Sequence, residues 1–258
     1  MSWKDIEEAL VHTDIVIVPV GSIEQHGPHM PLGTDFYWAL NMCLLIAQET
    51  DILVAPALMV GLAEYHMGFP GTMTLTPETF EAVLFESSQC LLRHGFKKIL
   101  FLNGHGGNTD SMQHVIRKIN QTTSASAVML NGLQIPPLED AVQYPQFDWH
   151  AGESETSEML YLTPGLVDMN RAEKPILTFP PNALKSFQKS VGQPLFMEVA
   201  MSSMFCTKET GKNSSTRELT NNGVVTDGDP ANATQAQGKA SVDQFVKAAV
   251  QFIKEWKK

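Results

Sequence analysis

An alternation in the first half of the chain constrains its fold more than any other feature. Short apolar runs are each followed by a polar loop and then by a segment of helical periodicity. Ile15-Val16-Ile17-Val18-Pro19-Val20 reads as a buried strand, with Pro19 near its end or at a sheet edge because proline cannot donate to a ladder. A helix is expected over about 35–49, and Ile52-Leu53-Val54 is a second strand. Thr76-Pro77-Glu78 opens the next helix with a hydroxyl cap, a proline in the first turn and an acid near the positive end of the dipole. It should run to about Arg93, where His94-Gly95 makes a stop. Lys98-Ile99-Leu100-Phe101-Leu102 is the third strand, followed after a glycine-rich loop by a helix to about Gln121 and a fourth strand, Ala127-Val128-Met129-Leu130. Units of this kind predict an α/β fold with a mostly parallel sheet and helices on both faces. From 175 to 230 the pattern loosens, with turns at Pro180-Pro181, Gly192-Gln193-Pro194 and Asn221-Asn222-Gly223, before a long helix over about 232–256. One domain is expected over 1–258.

Composition excludes several function classes. The net charge of -10 repels a phosphodiester backbone and no basic run offsets it, so no nucleic-acid partner is expected. No apolar stretch approaches the roughly 20 residues that a membrane span needs. The opening residues, Met1-Ser2-Trp3-Lys4-Asp5-Ile6-Glu7-Glu8, lack the apolar core of a signal peptide. Cys43, Cys90 and Cys206 form no C-x-x-C pair, which fits a reducing compartment, and a cytoplasmic location is expected. Cys43 and Cys90 fall in apolar helical patterns and read as buried core thiols.

The polar residues gather immediately after strand ends. The first strand is followed by Gly21-Ser22-Ile23-Glu24-Gln25-His26-Gly27-Pro28-His29 and then by Pro31-Leu32-Gly33-Thr34-Asp35, and the third by His105 between glycines. Ligands of open α/β sheets bind beyond the carboxyl ends of the strands, so both loops should open onto one rim. Glu24 and His26, two residues apart, share a side of an extended loop. Asp35 begins a helix, where the dipole favours a carboxylate that could bridge two ions. Asp148-Trp149-His150-Ala151-Gly152-Glu153-Ser154-Glu155 adds an imidazole and further acids. This mixture of imidazole and carboxylate suits zinc or manganese. Glu24, Asp35 and Glu155 together with two divalent ions and a bridging hydroxide come close to neutrality, whereas three bare converging carboxylates would raise one another's pKa. Singly, each of these residues also has an ordinary reading as a turn or cap, and His12, His94 and His114 read as surface or helix-end histidines. A dinucleotide loop is excluded because Thr109 stands where its third glycine belongs. A thiol nucleophile at Cys43 or Cys206 lacks any activating motif.

Four ordered blocks together resemble the creatininase (creatinine amidohydrolase) family. They are Gly21 to Asp35, Phe69-Pro70-Gly71-Thr72, Asn103-Gly104-His105-Gly106-Gly107-Asn108, and His150-Ala151-Gly152-Glu153-Ser154-Glu155-Thr156-Ser157. The resemblance implies a three-layer α/β/α domain, commonly in a hexamer, with two zinc or manganese ions. It places the metal ligands on Glu24, His26, Asp35, His105 and Glu155, with Asp35 as the bridge and His150 as the proton-transfer residue. His66 and Trp149 are the substrate-binding candidates. The implied reaction is hydrolysis of a small amide C–N bond by a hydroxide activated between the ions, with creatinine to creatine as the leading substrate pair. Gly107 stands where creatininase proper carries an acidic metal-site residue. In that respect the chain resembles formamide hydrolases of flavin and deazaflavin biosynthesis and a peptide-trimming member of a redox-cofactor pathway.

Overall fold

A computed structural model describes residues 1–131, 143–178 and 215–257. A short helix α1 (Trp3–Ala9) precedes β1 (Ile15–Val20), α2 (Thr34–Thr50), β2 (Leu53–Val54), α3 (Pro77–Arg93), β3 (Lys98–Asn103), α4 (Thr109–Thr122) and β4 (Ser126–Leu130). These strands form one parallel sheet in the order β2-β1-β3-β4, with Ile15 opposite Lys98 and Val20 opposite Asn103 in the central pair. Further along come β5 (Asp148–His150), α5 (Glu153–Leu162), β6 (Val225–Thr226) and the long α6 (Gln235–Trp256), with β5 and β6 paired antiparallel.

The central strands are apolar along β1 and through Ile99–Leu102 of β3 because both of their faces are buried there. Ile15 and Ile17 of β1 and Leu100 and Leu102 of β3 pack against Ala39, Met42, Cys43 and Ile46 of α2 and against Val242, Phe245 and Ile253 of α6. The alternate residues Val16, Val18, Ile99 and Phe101 pack on the other face against Phe80 and Leu84 of α3 and Met112, Val115 and Ile119 of α4. The result is a three-layer α/β/α sandwich. The i, i+3, i+4, i+7 spacing of the α2 set gives that helix its single inward stripe. Each fully buried aliphatic side chain of this kind is worth about 1.5–3 kcal/mol.

Pro19 is the last residue but one of β1, near the strand's end as expected, although the strand is a central one. Its carbonyl accepts from Leu58 N (3.0 Å) on the side where β2 has already ended, so no ladder partner is lost to the missing N–H. Cys43 is buried but Cys90 is exposed. The buried positions of α3, Phe80, Leu84 and Ser88, run at intervals of four, and Cys90 falls off that stripe. Cys206 and the turns expected at Pro180-Pro181 and Gly192-Gln193-Pro194 lie outside the described residues. Among the described residues no helix is long and apolar enough to cross a membrane.

Candidate metal centre

The carboxyl ends of β1 and β3 lie side by side, and the first turn of α2 drops between them. Two glycines permit that approach: a Cβ at Gly21 would sit 2.5 Å from Phe36 Cα, and one at Gly104 would sit 2.5 Å from the Asp35 carbonyl oxygen. Asp35 thereby reaches the loops that carry Glu24, His26 and His105. Its Oδ1 is 3.1 Å from His26 Nε2, and its Oδ2 is 3.1 Å from His105 Nδ1. Glu24 Oε2 stands 3.1 Å from the same His105 nitrogen and accepts from Ser22 Oγ (2.8 Å). On the other side of Asp35, Glu155 Oε2 lies 3.7 Å from His26 Nε2, held by a bond from the Ala151 N–H (2.6 Å). Asp148 fixes the start of α5 beneath Glu155 by accepting from Glu153 N (3.2 Å) and Ser154 N (2.7 Å). Glu24, His26, Asp35 and His105 are at most 5% exposed, so this many charges meet without water to screen them.

Hydrogen bonds to carbonyl oxygens, which can only accept, assign the imidazole protons. His26 Nδ1–H donates to the Glu24 carbonyl (3.1 Å), and His105 Nε2–H donates to the Leu62 carbonyl (3.0 Å). Each ring is thereby left with its other nitrogen facing carboxylate oxygens about 3 Å away, a contact that requires either a proton or a metal ion between them. His26 Nε2 and Asp35 Oδ2 are indeed buried with no hydrogen-bond partner. A histidine that gives one N–H to a backbone carbonyl and turns the other nitrogen toward carboxylates has the form of a metal ligand with its outer support in place. Two donor groups meet here, Glu24–Asp35–His105 and His26–His150–Glu155, and Asp35 links them because its Oδ2 faces His105 and its Oδ1 faces His26.

The electrostatics of the metal-free protein agree. Burial alone would depress the His26 imidazole, but Asp35, Glu155 and Glu24 outweigh it and push its pKa up to about 10. Burial likewise opposes charge on His105, yet Glu24, Tyr65 and Asp35 raise it well above the usual histidine range. Glu24 is pushed up by burial and then carried well below the carboxylate range by His105 and His66. Burial, with Asp35 adding to it, lifts Glu155 to about 7. In the absence of metal, protons thus occupy the imidazole nitrogens that face the carboxylates.

The family model for creatininase, described as creatinine amidohydrolase, matches residues 1–253. The chain belongs to the creatininase family. It is 30% identical to creatinine amidohydrolase of Pseudomonas putida over 201 residues, covering 70% of this chain and 77% of that one. It is 33% identical over 156 residues to the mycofactocin precursor peptide peptidase of Mycolicibacterium smegmatis, covering 58% of each. A solved creatininase structure with Mn superposes with a TM-score of 0.77 at 23% identity, over 100% of this chain and 96% of that one, and so shares the fold.

Against the creatininase pattern, Gly107 leaves no room for an acid. A Cβ there would stand 2.5 Å from both His105 Nε2 and the Leu62 carbonyl oxygen, and 2.8 Å from the Tyr65 hydroxyl. Tyr65, which the sequence did not single out, lies 3.2 Å from His105 Nε2. Beside the triads opens a cavity of about 290 Å³, lined by Asp35, His105, Glu155, Trp38, Trp149 and Glu158 among others. Trp149 is on its wall. His66 is not, and is instead buried behind Glu24, its Nε2 3.2 Å from Glu24 Oε1. His150 stacks between His26 and His66, at 4.4 and 4.3 Å between ring centroids, and donates from Nε2 to the Gln25 carbonyl (2.7 Å). His94 caps the C-terminus of α3, and the exposed His114 pairs with Glu81. Gln25, Thr216 and Gly223 also converge on this site; the Asn221-Asn222-Gly223 motif signalled a turn but not a partner for the distant first loop.

Proposed function

We propose that the chain is a metal-dependent amidohydrolase acting on the C–N bond of a small amide, with creatinine as the leading substrate. The single observation that carries this reading is Asp35, whose two oxygens each face an imidazole nitrogen in a buried pocket. Glu24, Asp35 and His105 would hold one divalent ion, and His26 and Glu155, with Asp35 reaching His26 through its other oxygen, the second, zinc or manganese being suited to these donors. When bound, paired ions of this kind make water nucleophilic near neutral pH and polarise a carbonyl.

The protein's own part is positioning and proton transfer. The Gln25 carbonyl keeps the proton of His150 on Nε2, so Nδ1 is the nitrogen able to receive another. Burial, reinforced by His66 and His26, holds the His150 pKa well below its usual value, so the ring is neutral at pH 7. A proton taken at Nδ1 is therefore held briefly and passed on to the departing nitrogen. Trp149 and Trp38 give the cavity flat apolar walls against which a planar substrate can stack. A volume of about 290 Å³ suits a small molecule better than a peptide. A second reading, peptide trimming, is favoured by the likeness to the mycofactocin peptidase; formamide hydrolysis is the other alternative. By family likeness we also propose a single domain in a homo-oligomer, a hexamer in the first instance, working in the cytoplasm.

Elemental analysis of gently purified protein, followed by assays on creatinine, formamides, lactams and short peptides, tests the reading. About two metal equivalents per chain and turnover of a small amide are expected. His150→Ala should keep the metal and lose turnover, whereas Asp35→Ala should lose both. Full activity after exhaustive chelation would refute it.

A further inference from the structure

A third group of donors lies within metal-binding reach of one another, formed by Glu24, His66 and His150, and the two-ion reading leaves it unused. The hydrogen bonds around Gln25 explain why. Gly27 N–H donates to Gln25 Oε1 (3.0 Å), and Gln25 Nε2 donates to the Gly223 carbonyl (2.9 Å), so the orientation of the amide is fixed at both ends. The same Nε2 lies 3.1 Å from His66 Nδ1. An amide nitrogen can only donate, so His66 Nδ1 accepts and the ring proton is on Nε2. Thr216 Oγ1, 2.8 Å from the same Nδ1, is free to donate to it as well. His66 therefore offers Glu24 Oε1 an N–H at 3.2 Å without carrying a second ring proton, whereas the carboxylate-facing nitrogens of His26 and His105 become ligands only when their protons leave.

Resting on the two-metal reading above, we infer that Gln25 is a positioning residue that locks His66 as a hydrogen-bond donor to Glu24. Oε1 of Glu24 is thereby held by a hydrogen bond from His66, and Oε2 is the oxygen presented beside His105 and Asp35. His66 is neither a metal ligand nor a wall of the substrate cavity; it fixes the angle of a ligand and closes the third donor group to cations. The main chain of Gln25 does the same for His150 by accepting its Nε2–H, so one residue sets the proton positions of two imidazoles. The turn at Gly223 completes the device. Its φ of +90° suits glycine, and a Cβ there would lie 1.9 Å from Gln25 Oε1.

Two-bond 1H–15N correlation spectra of 15N-labelled protein read the tautomer of each histidine, and His66 is expected as Nε2–H both metal-free and zinc-loaded. An Nδ1–H ring, or an Nε2 that becomes metal-bound on adding zinc, overturns the inference. Because the metal-free spectrum needs no metal, the two readings fail separately: a chain that keeps this tautomer but takes up no zinc sinks the two-ion reading alone. Zinc affinity by chelator competition is the second measurement. His66→Ala and Gln25→Glu, the latter inverting the hydrogen bond at Nδ1, should each weaken zinc binding about 10–100-fold, the usual cost of losing a ligand's hydrogen-bond partner. His66→Gln, whose amide can set an N–H in place of Nε2, should restore most of the affinity. Equal losses for His66→Gln and His66→Ala would reject the donor role. If Gln25→Glu fails to fold, the wild-type spectra still decide the matter.

Discussion

Loading the metal-free protein with zinc should expel protons, and the structure sets how many. His26, with a pKa of about 10, is almost fully protonated at pH 8, and His105, raised well above its usual range, carries a proton too. Neither ring can bind a metal through the nitrogen that faces the carboxylates until that proton leaves. Two protons per chain should therefore be released at pH 8, apart from any lost by bound water. Glu155, at about 7, is largely ionised at pH 8 but mostly protonated at pH 6, so release should rise by nearly one proton at the lower pH. Displacing the His26 proton two units below its pKa costs about 3 kcal/mol, roughly a hundredfold in affinity. Affinity should therefore climb steeply with pH across the neutral range. Titration calorimetry in buffers of different ionisation enthalpy counts the protons directly, and His26→Ala should lower the count by about one. Release of less than one proton per chain at pH 8 would refute the assignment of these rings as ligands.

Other outcomes follow from the same geometry. Metal-free protein should lose stability as pH rises from about 6.5 to 10, because a group whose folded pKa is raised stabilises the fold below its unfolded pKa and ceases to do so above the folded one. Urea denaturation in chelator at pH 6.5, 8 and 9.5 checks the sign, and a rise in stability over that range contradicts it. Gly107→Ala should cost about 1–3 kcal/mol and weaken zinc binding, since its methyl group meets His105 and a backbone oxygen at 2.5 Å; thermal melts with and without zinc measure both effects. Gly238→Ala in α6 would put a methyl 1.8 Å from the Ser157 carbonyl oxygen of α5, and about 3 kcal/mol should be lost in denaturant melts.

Much of this was legible in the sequence for a physical reason. Strands buried on both faces announce themselves as continuous apolar runs, and β1 lies where Ile15 to Val20 was read. The caps at Thr76 and His94 are local chemistry and were equally readable. The expected donors Glu24, His26, Asp35, His105 and Glu155 do converge, because strand ends in a parallel sheet share a rim. Long-range pairing of short segments was not legible. The strands β5 and β6 are three and two residues long and lie far apart in the chain, so neither carries a periodicity. Pro19 is tolerated near the end of a central strand because β2 is only two residues long and pairs with Val16 and Ile17 before that point. The role of Gln25 lay hidden because its partners, His66, Thr216 and Gly223, come from three separate stretches.

The seating of α2 against Gly21 and Gly104 has an evolutionary corollary. With backbone atoms on both sides of its first turn, the helix cannot slide, so the position of Asp35 between the Glu24 and His26 sides of the site is built into the main chain rather than left to side-chain choice. A lineage using this scaffold can exchange Trp38, Trp149 or Glu158 on the opposite wall while the reagent stays as it is. Such insulation lets one reactive core be carried unaltered toward unlike substrates.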